Sequence, residues 1–591
     1  GASFNTTNNI ESGNLFVCCR CFHSLFYSLL LSSELRNQKK SVILRQSKRM
    51  AALGPLCRGV VGRKVALIRN YPARRLLPRC CFSTAPPPPK EGERLRVAVV
   101  GGGCAGLSSA LHLAPLVEQG YLASPIDIFD ATPSKGRSIG VGVWSTGLDP
   151  FQNSERPSHQ LVYEEMTSHG TWVGDAGYRT PDGSWLLKSH LPTSPEECLA
   201  QNMPALLFLR EKDMLLSLQK AIHWEELRGS VRVHRDGNKT RVTGIEEESS
   251  QPWSARLHLA SDTFSERDYH LIVAADGTHS MLRQRYGGYN LATQRLIGTA
   301  GLPSQNDVRT SLSSETWDDD LHLQATRLQD RNYTVFRGNA PLTKEHMGED
   351  GVSFQTWGTG KSMRFATVPM LYPGIEKRVE KQVWFATIND PTVTDEKDPT
   401  KRKDLLIDAF SSWHDPIAKT MQSTPAEEIL MERAVAHRHC IGPVVAMNEV
   451  IQRIRGTRPP NSGEGPCMVF VGDAFMTIDP ILAQGFTVAM EGAFATKNSI
   501  QKSCQVSDPG STLAFDPYRL RNELRNRHED RMDRLTCLLR VTELVQALGQ
   551  QQGGSMLGRL NTYGLRPLVR MTPNFIKKPI FNRVLKYSVG L

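Results

Sequence analysis

The chain has 591 residues, 39% of them apolar and 22% charged, enough to bury a large core and to hold more than one structural unit. Its formal charge of +11 is not spread evenly: residues 1–90 carry fifteen Lys/Arg against Glu11 and Glu34, an excess of 13, which leaves residues 91–591 at −2. A nearly neutral body argues against nucleic-acid binding; no apolar run reaches the ~18–20 residues of a membrane span, and six of the twelve cysteines lie before residue 91 while the others are single, which argues against a disulfide framework or a zinc site.

Residues 1–90 read as presequence and leader. The chain opens on Gly1, and residues 1–49 are expected to lie upstream of a start at Met50. From Met50 to Lys90 there is no acidic residue, while Arg58, Arg63, Lys64, Arg69, Arg74, Arg75 and Arg79 recur among small and apolar residues, the composition of an organellar presequence. The segment from Arg79 to Thr84 resembles a mitochondrial processing site, and Pro86 to Pro89 make a stiff spacer. The arginine density favours mitochondria, with a plastid as the alternative.

At 97–100 a short apolar run has the character of a buried parallel strand, and Leu107, Ala110, Leu111 and Leu113 continue as a helical pattern. Between them, Gly101-Gly102-Gly103-Cys104-Ala105-Gly106 occupies a strand-to-helix turn. Gly101 permits the turn, Gly103 lets backbone N–H groups approach a pyrophosphate, and Gly106 allows close packing of the helix. The helix N-terminus adds partial positive charge. A second strand at 126–129 ends in Asp130, placed to accept hydrogen bonds from a ribose; its separation from Gly101 implies a long helix or connection. Cys104 reads as a small filler.

Further along, Arg137 precedes the glycine-interrupted stretch 139–143, and Arg210 opens a helical pattern after the strand-like 207–209. A buried strand at 270–275 turns out through Asp276-Gly277, with Ser280 and Arg283 one helical step apart. The polar stretch 304–320 reads as a loop. Strand candidates follow at 333–337, 352–357, 363–370 and 383–388, rich in β-branched and aromatic residues. Tyr333, Phe354, Trp357 and Arg364 in this region are either pocket lining or core, and His414-Asp415 reads as a turn before Pro416. An apolar strand at 468–471 leads to Gly472-Asp473, Pro480 and Gln484-Gly485, then a helix from Phe486 to Ala495. Leu538, Val541, Val545 and Leu548 have the spacing of an amphipathic helix.

Taken together, the Gly101–Gly106, Asp276–Arg283 and Gly472–Gly485 segments, in this order, resemble the single-component FAD-dependent monooxygenases, the aromatic-hydroxylase family of para-hydroxybenzoate hydroxylase-like fold. The resemblance implies an α/β protein: a Rossmann-like FAD-binding domain, first part 91–290 and second part 465–500, a substrate-covering β-sheet domain mainly within 291–464, and a helical C-terminal region over 501–591. By the same resemblance Gly101, Gly103, Ala105, Gly106 and Asp130 hold FAD. Asp276, Gly277 and Arg283 serve both its pyrophosphate and NAD(P)H, with Arg283 lending positive charge. Gly472 and Asp473 meet the ribityl chain, Pro480, Gln484 and Gly485 lie beneath the flavin ring, and Arg137 and Arg210 reach toward it. Three positions depart from the family pattern: Met476 where a histidine is usual, Ala483 where a glycine is usual, and Thr487 where an asparagine is usual.

The activity so implied is NAD(P)H- and O2-dependent hydroxylation or epoxidation of a small organic substrate, aromatic or isoprenoid, with no side chain singled out as catalytic and no metal. The alternatives are an FAD-binding reductase of the same fold and a non-catalytic flavoprotein with a binding or assembly role. Finally, no acidic residue follows Glu543, while Arg559, Arg566, Arg570, Lys577, Lys578, Arg583 and Lys586 alternate with apolar residues. This tail reads either as a peripheral contact with an anionic membrane or as a segment packed across the FAD domain with its lysines in water.

Overall fold

Four short runs, Val97–Val100 (β1), Ile126–Phe129 (β2), Leu271–Ala274 (β12) and Cys467–Phe470 (β19), are buried at every residue. They pair in parallel in the order β19-β12-β1-β2, continued by Val231–His234 (β8) beside β2 and by the antiparallel Val444–Ala446 (β18) beside β19. Their near-continuous apolar sequence follows from having both faces covered. Val97, Val99, Val273 and Val469 pack on one side against helices Cys104–Glu118 (α1), Glu211–Leu227 (α4) and Gly485–Cys504 (α8). Ala98, Val100, Ile272 and Met468 pack on the other side, where a sheet of Val242–Ile245 (β9), Ala255–Leu259 (β10) and Phe264–Tyr269 (β11) lies. The expected helix after the glycine turn is present and spans fifteen residues, accounting for much of the Gly101-to-Asp130 spacing.

The computed structural model describes residues 93–131, 136–246, 253–286, 328–342, 352–358, 361–372, 379–436, 444–446, 466–504, 515–524, parts of 526–542, and 566–589. The presequence and its processing segment, the 304–320 loop, Val541, Val545, Leu548 and Arg559 lie outside these residues.

A seven-stranded sheet runs in the order β17-β13-β16-β15-β14-β5-β6, from Leu430–Ala436 (β17), Gln329–Pro341 (β13), Val379–Ile388 (β16), Arg364–Tyr372 (β15), Ser353–Trp357 (β14), Asp175–Arg179 (β5) and Trp185–His190 (β6). The four expected strands are all in it. Its other three strands carried no clear apolar alternation, and two of them, β5 and β6, come from residues 175–190, before the DG segment, so the sheet is not confined to 291–464. At Gly177 in β5 a Cβ would come within 2.4 Å of Leu187 O, so the hairpin needs glycine there. One face of the sheet is a core of Phe336, Phe354, Phe365 and Trp384 closed by helices Pro399–Phe410 (α6) and Ile417–Gln422 (α7). Phe354 therefore points away from the FAD-binding half, and of its two readings the core one holds. His414, at the bend before Pro416, contacts Thr356 Oγ1 at 2.8 Å, a structural tie between bend and sheet.

A third sheet, Gly140–Trp144 (β3), Leu206–Arg210 (β7) and Thr171–Trp172 (β4), lies between the two large ones. Helices Ser145–Gln152 (α2) and Pro157–His169 (α3) follow β3, and Met281–Tyr286 (α5) follows the DG turn. The chain ends in Arg566–Met571 (α9) and Asn574–Ser588 (α10).

At the foot of β12, His270 is buried and its Nδ1 accepts the Arg96 backbone N–H at 3.0 Å. Burial, with Arg96 nearby, pushes its pKa down to about 3. As pH falls below the ordinary histidine value of about 6.5, the unfolded chain takes up a proton that the folded chain does not, so folding loses about 1.4 kcal/mol per pH unit from this group. Urea unfolding of the protein and of His270→Asn at pH ~7.5 and ~5.5 checks this: the unsubstituted chain should lose more stability on acidification, and equal losses would refute the assignment.

Candidate active site

The register of the parallel sheet places Val100, Ala274 and Phe470 side by side, so the three glycine-bearing turns leave adjacent strands at one carboxyl edge. This is where open α/β sheets bind ligands. Gly101 has φ +114, and a Cβ there would sit 2.3 Å from Ala275 O; at Gly106 a Cβ would sit 1.9 Å from Gly101 O. Those two glycines are demanded by the fold. Gly102, whose role the sequence did not reveal, leaves room for the Asp130 carboxylate, which would lie 2.1 Å from its Cβ. At Gly103 a Cβ would meet nothing within 4 Å, and as N-cap of α1 it provides no side-chain hydrogen bond. The start of α1 is thus left without a side-chain cap, as an anion site requires. Cys104, buried beside them, has its thiol pushed up to about 12 by burial, with the Glu211 and Asp473 carboxylates raising it further, and is inert.

The DG and GD segments are locked together. Asp276 accepts Ser280 Oγ at 2.5 Å and the Leu282 N–H at 3.1 Å, holding the start of α5, and Gly277 takes φ +77. Asp473 accepts Thr278 Oγ1 at 2.8 Å, and burial pushes its carboxyl upward. Gly472 has φ +59, and a Cβ there would come within 2.6 Å of Ala105 Cβ, so Ala105 contributes packing between α1 and this turn. Arg283 departs from expectation. It is fully buried, with Nη1 donating to Asp473 O at 2.9 Å and Nη2 donating to Thr278 O. A guanidinium engaged with main-chain carbonyls is a staple between the segments and offers no exposed charge to a dinucleotide.

Arg137 and Arg210 come together at one end of the β3–β7 pair, where Gly140 is in register with Arg210. Both have carboxylate partners: Arg137 pairs with Glu211 at 2.6 Å and with Glu432, and Arg210 makes two bonds to Asp213 at 2.5 and 2.6 Å. Contact with a phosphate or flavin would compete with these pairs.

Pro480 begins a short 3-10 turn, Pro480–Leu482, that faces the seven-stranded sheet. The residue before it, Asp479, went unnoticed in the sequence. It pairs with Arg331 at 3.0 Å and accepts a hydrogen bond from Tyr333, all three buried, while Gln355 Nε2 donates to Ile481 O at 3.4 Å. These bonds identify the sheet face that looks onto the turn. Arg364 is in register with Trp357 and Thr387 on that face, and Tyr178 is in register with Gln355. Tyr178 and Trp357 rings lie 4.8 Å apart, and burial pushes the Tyr178 hydroxyl up to about 12, so it stays protonated. Arg364 is 5% exposed, its Nε and Nη1 make no hydrogen bond, and it forms no ion pair with a described carboxylate. Burial lowers its pKa, opposed by Tyr333, Asp479 and Tyr178.

No protein-family model matches the chain. It is 22% identical over 449 residues to the FAD-dependent monooxygenase ausM of Penicillium brasilianum, covering 75% of this chain and 77% of the relative. It is 27% identical over 196 residues to the aurachin C monooxygenase/isomerase of Stigmatella aurantiaca, covering 32% of this chain and 44% of that one. Among solved structures, Klebsiella pneumoniae HpxO complexed with FAD and uric acid superposes with a TM-score of 0.53 at 17% identity, over 83% of this chain and 97% of HpxO. In sequence and fold the chain is similar to FAD-dependent monooxygenases.

The residues of this site fit FAD. At Gly485, as at Gly103, a Cβ would meet nothing within 4 Å. Beside it the Gln484 amide is fully buried with neither Nε2 nor Oε1 hydrogen-bonded, groups suited to the polar edge of a flavin. The three departures from the family pattern each have a packing reason. Met476 is buried in the core against the parallel sheet. Thr487 Oγ1 accepts the Trp144 N–H at 2.9 Å, tying α8 to β3. Ala483 takes the left-handed conformation, φ 52 and ψ 39, which glycine adopts more readily, and its Cβ lies 2.7 Å from where a Cβ on Gly142 would stand. The methyl missing at Gly142 leaves the space that Ala483 fills.

Two outcomes follow for variants. Gly142→Ala alone should destabilise the fold by roughly 1–3 kcal/mol through overpacking, and adding Ala483→Gly should restore most of the loss; additive effects in thermal unfolding would refute the coupling. Gly103→Val should leave folding intact yet weaken FAD retention, whereas Gly106→Val should impair folding itself. Circular dichroism and FAD titration of both variants separate the two roles.

Proposed function

We propose that this monooxygenase uses NAD(P)H and O2 to hydroxylate or epoxidise a planar organic substrate carrying an acidic or enolic oxygen. The observation that carries this reading is Arg364, a buried guanidinium without a hydrogen bond at Nε or Nη1, on the sheet face turned toward the FAD segment. A buried cation left unpaired is costly, and an anionic oxygen supplies the missing charge and acceptors. Tyr178 and Trp357 offer flat apolar surface beside it. Uric acid, named with HpxO, is itself a flat acidic molecule, which supports the same class here.

Bound FAD would supply the redox chemistry, accepting a hydride from the nicotinamide and delivering one oxygen atom from O2 to the substrate. The uncapped amides of α1 and the carboxylate of Asp130 would hold its phosphates and ribose, Asp473 its ribityl hydroxyls, and Gln484 with the first N–H groups of α8 the polar edge of the ring. The Asp479–Arg331–Tyr333 network holds the turn against the sheet and excludes water between them. Arg137 and Arg210 would have to exchange a carboxylate partner to reach the cofactor. The acid-free, arginine-rich stretch from Met50 to Lys90 supports import into mitochondria.

Anaerobic stopped-flow reduction of the FAD-loaded protein by NADH and by NADPH should show rapid bleaching with one of them. A flavin that neither reduces, with any compound present, removes the NAD(P)H role. In a screen of planar acidic compounds and neutral analogues that follows O2 uptake, Arg364→Met should lower kcat/KM for acidic compounds roughly ten- to a hundredfold and leave neutral ones little changed. An equal loss on both sets would refute the anionic contact.

A further inference from the structure

The terminal helices α9 and α10 contribute no residue to the site described above, and their two sides differ. Phe581, Leu585 and Val589, at four-residue spacing, face inward with Trp144, Phe208, Met370 and Val383, and Lys577 Nζ donates to Leu186 O at 2.9 Å. That stripe packs partly on the FAD-binding half, through Trp144 and Phe208, and partly on the seven-stranded sheet, through Met370 and Val383, and Lys577 is drawn into the contact. The outward stripe is apolar as well: Phe575, Ile576, Ile580 and Val584 are exposed, continued by Val569 and Met571 on α9, with Phe575 at 76% and Met571 at 79%. Of fourteen exposed large apolar side chains among the described residues, six lie in these two helices, so the exposure is concentrated into a patch.

The same surface is basic. Arg570, Lys578 and Arg583 are exposed on these helices, and neither helix contains an acidic residue. A partner must accept apolar side chains and neutralise cations on one plane. An anionic lipid surface does both: the apolar stripe enters the acyl boundary while Lys and Arg meet headgroups. A second copy of the chain suits it less well, since a two-fold contact would bring like charges together. No described helix is long and apolar enough to cross a membrane, so the contact is a surface one.

We propose that α9 and α10 form an interfacial docking element for anionic bilayers. This does not depend on the oxygenation chemistry, though it bears on it: Phe581 on the inward stripe lies 5.9 Å from the Tyr178 ring, so the docked surface is about one helix thickness from the aromatic wall of the pocket. If the oxygenation reading holds, the substrate class narrows to molecules that partition into lipid.

The test is co-sedimentation of the FAD-loaded full chain with vesicles of phosphatidylcholine alone and of phosphatidylcholine mixed with phosphatidylglycerol. Binding is expected only to the mixed vesicles and should weaken with salt. The Lys578→Gln/Arg583→Gln double variant should bind more weakly, by roughly fivefold for each basic residue removed. Phe575→Glu/Ile580→Glu should abolish binding with FAD content unchanged, since both side chains are exposed. No binding, or equal binding to both vesicle types, overturns the proposal. So does binding that survives both variants, which would assign it to the basic N-terminal stretch. A concentration-dependent dimer that the glutamate variant dissolves, without vesicle binding, would instead make the patch a contact between copies.

Discussion

Everything at the site depends on the parallel register of β1, β12 and β19. About 170 residues separate the first glycine turn from the DG turn and about 195 separate that from the GD turn, yet the three emerge side by side because their strands pair in step. The ladder runs on into the turns themselves: Gly101 N–H donates to Phe129 O at 2.8 Å, Ala275 N–H to Val100 O at 2.8 Å and Val471 N–H to Ala274 O at 3.0 Å. The turns are thus continuations of a sheet buried on both faces. Slipping any one strand by a residue would exchange the side chains of its two cores, so packing enforces the alignment that a dinucleotide cofactor needs.

Three buried arginines show how one residue type serves different ends. Arg283 satisfies carbonyls of two segments, and its removal would leave those acceptors unsatisfied at about 1–3 kcal/mol each. Arg331 meets Asp479 and joins the seven-stranded sheet to the Pro480 turn. Arg364 forms no ion pair among the described residues, and this difference in pairing sets it apart from the other two, which act as struts. The same economy of contact explains the departures from the family pattern: Ala483 is tolerated where glycine is usual because Gly142, across the gap, has no side chain.

Much was legible along the chain because it is local. A buried strand, a glycine turn and a helix lie within about twenty residues, and the apolar run, the positive-φ turn and the uncapped helix start each have a short-range cause. That was enough for the fold class, for the order of the FAD-binding segments, and for the central strands of the seven-stranded sheet. Strands β5, β6 and β17 were not legible, since their sequences carry no regular alternation and their place comes from pairing with distant neighbours.

By itself, then, the sequence determined which segments could hold a dinucleotide and where the chain turns, for φ/ψ preference and apolar periodicity are properties of neighbouring residues. Only the tertiary structure decided that Arg283 is buried as a staple, that Phe354 belongs to a core while Arg364 faces the site, that Asp479 ties two sheets together, and that the last helix leaves an apolar stripe uncovered. Burial and charge pairing are set by residues far apart in the chain, and the same arginine or phenylalanine in the same local pattern can lie on either side of a sheet until its neighbours are in place.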